Sequence, residues 1–360
     1  MRVDKFFSLT LTTLIIIFIL TACNAGENTI EEIAPSILYY FEKGEDEKYK
    51  VTTMVPPVKR EKRAVLTTEE SLIKDIKTQL NSQYFRNIKD GQLRVVFFSK
   101  EIAEDVGLEE VTTALYMDTD ISDRVYLGVV DGDFKKLINS NSSADYLLYR
   151  QLKHNQNKGE IQVVDLHEFL RAVHSDYSDP YLPYFTLVDN QLHFKGVSVF
   201  KDYKMVHQLT LEESKVFDFL NGRVNYHEVF SFENLHLNLG LVNSDTNVLL
   251  DSNQKRIKIK MMFNGIINEY QGEKDLTKKE HQLELKWDIK NEMKKSMNAL
   301  IKTFQTMGVD PLYLGIYSKG IFSKPYDGDD WKKVWPEYDV DLEIDLNIKD
   351  YGTYQRRGIF

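Results

Sequence analysis

Near the end of the chain Val340, Leu342, Ile344, Leu346 and Ile348 alternate strictly with Asp341, Glu343, Asp345 and Asn347. A period of two puts every apolar side chain on one face and every charge on the other, as in a half-buried strand. Two earlier stretches share the pattern. Leu235, Leu237, Leu239 and Leu241 alternate with His236, Asn238 and Gly240, and Ile257, Ile259 and Met261 alternate with Arg256, Lys258 and Lys260. Such one-face-wet strands are the habit of antiparallel sheets. One strand is basic on its wet face and another acidic, so the two are expected in one sheet.

Between these strands, residues 289–307 read as one strong helix with Met293, Met297, Leu300, Ile301, Phe304 and Met307 as its apolar stripe and Gly308 as its stop. The expected class is α+β: a multi-domain mixed α/β chain whose C-terminal antiparallel sheet is covered by a long helix. Earlier, strands are expected at residues 36–41 and 49–55, a buried strand at 93–98, a short helix at 100–105, a strand at 125–130, and helices at 133–139 and 164–173. Thr67 three residues before Glu70, and Thr210 three before Glu213, read as capping boxes opening helices.

The N-terminus reads as an export signal. Arg2 and Lys5 precede an apolar stretch over residues 6–20, too short to span a bilayer. Leu20-Thr21-Ala22-Cys23 matches the bacterial lipobox, in which the cysteine thiol receives a diacylglyceryl group and the peptide is cut before it. Cys23, the only cysteine, is therefore the expected lipidation site, carrying palmitate-type acyl chains. Two such chains anchor a protein almost permanently. The mature protein is expected on the extracytoplasmic face, tethered by residues 24–32. About 335 residues then remain, enough for two or three cores. The expected division is 1–22 signal peptide, 23–190 N-terminal α/β domain and 191–360 C-terminal α+β region. A further split would separate 191–225, with an adjoining middle domain, from a sheet-plus-helix domain at 226–360.

A net charge of −9 argues against wrapping nucleic acid. With one cysteine, neither an internal disulfide nor a thiolate metal site can form. No His-Glu-x-x-His, nucleophile elbow or phosphate-binding glycine loop occurs in the sequence, so no catalytic residue, cofactor or metal is expected. Ser71-Leu72-Ile73-Lys74 fits Ser-x-x-Lys but is better explained as a helix start. Residues 118–123 and 327–330 are acidic and read as turns, the first lacking the glycine and glutamate of a calcium loop. His236 and His281 read as solvated. Trp331 and Trp335, with Tyr313, Tyr317, Phe322, Tyr326 and Tyr338, read as a satellite core in preference to a ligand platform.

Gly196-Val197-Ser198-Val199-Phe200-Lys201-Asp202-Tyr203-Lys204-Met205-Val206 resembles the segment G-x-A-V-F-K-x-x-K-L-V of the Ger(x)C spore germination lipoproteins. The acidic helix over 209–222, then Gln305, Asp310-Pro311-Leu312-Tyr313-Leu314-Gly315, Trp331, Trp335 and the final strand continue the resemblance. Asn24-Ala25 stands where the family commonly carries Trp-Asp, and His207 where glycine is usual, which marks a divergent member. The resemblance implies a three-domain mixed α/β fold and no catalytic residue. It also implies a C subunit of a GerA/GerB/GerK-type nutrient germinant receptor, partnered by integral membrane A- and B-type subunits. The competing readings are a lipid-anchored extracytoplasmic solute-binding protein and an anchored hydrolase.

Overall fold

The structure, a computed structural model, describes residues 32–57, 63–140, 144–158, 161–222, 229–318 and 328–351. Cys23, most of the tether, Phe322, Tyr326 and Asp327 lie outside them.

A short strand, β1 (Ile33–Pro35), is followed by β2 (Leu38–Lys43) and β3 (Tyr49–Val55), which form the expected antiparallel hairpin. Next comes β4 (Ala64–Glu70), paired to β3 through Thr52↔Thr67 and Tyr49↔Glu70. The first expected capping box is therefore wrong: Thr67 and Glu70 are strand residues. Helix α1 (Ile73–Ser82) opens at Leu72 with no side-chain cap. The box residues are β-tolerant, and β3 offers a free ladder plus a Thr52–Thr67 hydroxyl pair at 3.0 Å. β5 (Asn87–Lys89) pairs in parallel with β1.

β6 (Val95–Ser99) is the centre of the larger sheet. Its first four residues are all buried because both faces are covered: Val96 and Phe98 join one core, Val95 and Phe97 the other. The expected helix after it is a π-turn over Ile102–Val106, closed by Gly107 N–H donating to the Ile102 carbonyl. Then follow α2 (Glu109–Met117), β7 (Tyr126–Asp131), α3 (Phe134–Ser140), α4 (Ala144–Lys158) and the two-residue β8 (Val164–Asp165). Helix α5 (Leu166–Val173) starts two residues later than expected, at a capping box made by Asp165 and Glu168. β9 (Tyr181–Val188), β10 (Gln191–Lys201) and β11 (Lys204–Gln208) complete the sheet, in the order β11-β10-β9-β7-β6-β2-β3-β4 with β8 beside β7. The β2, β6, β7 and β9 neighbours are parallel, and the flanks antiparallel. The β9–β10 hairpin crosses residue 190.

Helix α6 (Leu211–Leu220) carries the second expected box, with Thr210 and Glu213 capping each other's backbone N–H. It lies between the sheets. Phe217 meets Tyr181 at 5.0 Å and Phe304 at 6.0 Å, and Phe219 meets Phe263 at 5.1 Å, so one continuous core joins both halves.

The second sheet contains β12 (Val229–Phe232), β13 (Leu237–Asp251), β14 (Arg256–Tyr270) and β15 (Asp339–Asp350). Helix α7 (Lys279–Met307) covers it with Leu285, Ile289, Met293, Met297, Leu300, Ile301 and Phe304. It begins ten residues before the expected start at 289 and ends in left-handed Gly308 (φ 66°). The basic and acidic strands are neighbours, as expected, with Lys258 Nζ 2.7 Å from Glu343. Their pairing is parallel, whereas β12–β13–β14 are antiparallel. The reason is the connection: α7 returns the chain to the end of the sheet from which β14 started, so β15 must run the same way. α8 (Gly328–Val334) sits between α7 and β15. His236 ends a 3-10 turn in left-handed conformation, exposed, and the strand proper begins at Leu237.

Gly196 explains the first glycine of the matched segment. It sits at a bulge of β10 with φ 135°, and an added Cβ would stand far inside van der Waals contact distance of the Leu209 carbonyl oxygen.

Candidate functional site

Trp331 and Trp335 are fully buried, with stacked rings 5.9 Å apart. They are core, as the sequence suggests. Trp335 Nε1 donates to the Val309 carbonyl at 2.7 Å, and Trp331 Nε1 to Asp310 Oδ2 at 2.9 Å. Asp310 is the hub of the second matched motif. Its Oδ1 accepts the N–H groups of Leu312 and Leu314 at 3.2 Å, and Oδ2 also accepts Gly315 N–H at 2.9 Å. Gly315 must be small, since a Cβ there would stand 2.5 Å from Trp331 Nε1.

Asp179, on the loop before β9, accepts Asp310 N–H at 2.7 Å and donates its own N–H to the Asp310 carbonyl at 2.9 Å. Lys332 of α8 pairs with it at 3.1 Å. Burial pushes the Asp310 carboxyl up to about 7, against the N–H donors that hold its charge, and Asp179 adds to the rise. Burial likewise raises Asp179, opposed by the Lys332 ammonium. This node fastens the loop before β9 to the segment after α7. Each Asp310 oxygen accepts two donors, which makes its role in this node structural.

A cleft of about 840 Å³ opens between α1 and α2, on the face of the large sheet away from α3 and α4. Tyr39 and Phe41 of β2 form its floor, Ile73 and Ile76 one wall, Ala114 and Leu115 the other, with Leu72 and Met117 exposed at the rim. Its polar centre is buried Asp90, which accepts the Tyr39 hydroxyl at 2.7 Å and pairs with Lys77 at 3.0 Å. The Lys77 ammonium also lies 3.9 Å from Asp118 and 3.8 Å from Asp120. Desolvation works against the Lys77 charge, but Asp90 above all, then Asp118 and Asp120, outweigh it and raise the pKa. The 118–123 segment thus forms the expected turn, with Asp118 Oδ1 accepting Asp120 N–H at 2.9 Å. The sequence reading missed the cleft. Its only local trace is Leu72 and Met117, which are apolar residues at helix ends.

Among the described residues no group of three or more His, Asp or Glu side chains is placed to hold a metal, and no helix is long and apolar enough to cross a membrane. His281 Nδ1 accepts Asp275 N–H at 2.9 Å beside the start of α7. On the outer side of α7, Leu283 (58% exposed) and Trp287 (66% exposed) stand one turn apart.

Comparison with known proteins adds a family to this architecture. Residues 26–187 match the model of the spore germination protein N-terminal domain, and 195–352 that of the spore germination B3/GerAC-like C-terminal domain. The spore germination protein GerQC of Bacillus cereus is 24% identical over 276 residues, 73% of this chain and 76% of the relative. The crystal structure of the GerBC protein has the same fold, with a TM-score of 0.57 at 13% identity over 86% of this chain and 96% of the other. With both halves matched in order, and the glycine, aspartate and tryptophan of the matched motifs each explained by packing, this chain belongs to the Ger(x)C family of spore germination proteins.

Proposed function

We propose that the chain is the lipid-anchored C subunit of a spore germinant receptor, acting by assembly with integral membrane subunits and not by catalysis. The observation that carries this reading is the ordered match of both spore germination domains across residues 26–352. Cys23 in its lipobox supplies the anchor. Anchoring confines the folded body to two dimensions and raises its effective concentration beside membrane partners, so a modest contact surface suffices. The Leu283–Trp287 pair on α7 supports such a contact, because exposed tryptophan is enriched among residues that dominate binding. A functional division near residue 190 is part of this reading; the matched regions end at 187 and resume at 195, while the β9–β10 hairpin carries one sheet across that point.

The test is Cys23→Ala in the spore-forming host. The variant is expected to leave the membrane fraction or to remain uncleaved, and wild type to co-purify with multispanning subunits from detergent extracts. A Cys23→Ala protein of mature size that stays in the membrane defeats the lipid anchor. A wild-type protein that co-purifies with no multispanning subunit defeats the assembly reading.

A further inference from the structure

We propose that the cleft between α1 and α2 binds a small molecule with an apolar body and a cationic head. Its volume of about 840 Å³ lies within the range of small-molecule pockets, roughly 300–1,000 Å³. Most of its lining is apolar, and Lys77, Asp90 and Asp118 meet at one end, the arrangement that orients a ligand. Glu109 and Glu110 stand at the other end of α2, with Glu110 held by Lys48 and the Tyr49 hydroxyl. The charge balance selects the sign of the head. Among the described residues Asp90, Glu109, Glu110 and Asp118 line the cleft against Lys74 and Lys77. Asp90 is neutralised by Lys77 and the Tyr39 hydroxyl. Asp118 in the lining, and Asp120 just outside it, share that same ammonium at almost 4 Å, and one cation among three carboxylates leaves that end net negative. An anionic head would meet these carboxylates; an ammonium head would add a second cation between them. The smaller recess of about 300 Å³ between α4 and β10 contains no Asp, Glu, Lys or Arg and offers no comparable selection.

The experiment titrates the full chain, labelled at its methionine methyls, with hexylamine, hexanol and hexanoate, which share one apolar body. Met117 at the rim reports binding through its methyl shift, assigned with Met117→Leu. Hexylamine is expected to bind about tenfold more tightly than hexanol, and hexanoate more weakly than both. In the Asp118→Asn/Asp120→Asn protein the amine should lose its advantage while hexanol binding stays unchanged. Asparagine at 118 keeps an acceptor for Asp120 N–H, which preserves the turn. Ala114→Trp, which fills the cleft, should abolish all three responses. Equal affinities for amine and alcohol in wild type, preference for hexanoate, or an unperturbed Met117 methyl at saturating amine each overturn the proposal. The wild-type comparison stands even if a variant fails to fold.

Discussion

Replacing Asp310 by asparagine exchanges one carboxylate oxygen for an NH2 group, and the structure fixes what that group would meet. If the amide nitrogen takes the Oδ2 position, it faces Gly315 N–H and Trp331 Nε1–H, each now at 2.9 Å. If it takes the Oδ1 position, it faces Leu312 and Leu314 N–H, each at 3.2 Å. Either orientation leaves two buried donors without an acceptor, and the second is preferred because its contacts are longer. An unsatisfied buried N–H costs about 1–3 kcal/mol, so Asp310→Asn should destabilise the C-terminal half by roughly 3–5 kcal/mol. That is a large share of a typical domain's stability of about 5–15 kcal/mol. The assay is urea unfolding at about pH 8, where the carboxyl is ionised, followed by the fluorescence of buried Trp331 and Trp335. Trp331→Phe removes one of the Oδ2 donors, so in the double variant the cost of Asp310→Asn should fall by about 1–2 kcal/mol. A cost below about 1 kcal/mol for Asp310→Asn, or strict additivity with Trp331→Phe, would refute the view that this carboxylate organises the segment after α7.

The same site predicts a pH dependence. A folded pKa of about 7 lies above that of an unfolded aspartate, so the folded state holds a proton that the unfolded chain releases. The Asp310 contribution is then full below the unfolded pKa and lost as pH rises through about 7, and the stability gap between wild type and Asp310→Asn should be wider at pH 5 than at pH 8; a constant gap contradicts it. Gly196→Ala should cost about 3 kcal/mol or more, since it combines a left-side φ with a clash against the Leu209 carbonyl, and a near-wild-type melting temperature would disprove that geometry. Lys77→Met leaves buried Asp90 with the Tyr39 hydroxyl as its remaining partner in the cleft, and should cost about 1–3 kcal/mol in urea titration, the figure moderated by the part-exposure of Lys77. An unchanged midpoint would mean Asp90 does not depend on that ion pair.

The sequence by itself determined whatever is written in neighbouring residues. The alternation in β13, β14 and β15 is local because a strand turns its side chains over every residue, and the stripe of α7 because a helix turns every 3.6 residues. The basic and acidic wet faces correctly placed Lys258 and Glu343 in one sheet. The Thr210–Glu213 box was legible for the same reason, since its hydrogen bonds close within four residues. The Thr67–Glu70 box has equal local merit and failed, because β3 supplied a ladder from more than ten residues away. Only the tertiary structure could decide that β15 joins β14 in parallel, since strand direction follows from where α7 delivers the chain. Only it could bring Tyr39, Lys77, Asp90 and Asp118 to one cleft, or Asp179 to Asp310 across the two halves. These groups come from separate elements and leave no period in the sequence. Their meeting is set by which apolar faces pack together, and packing is a property of the whole chain.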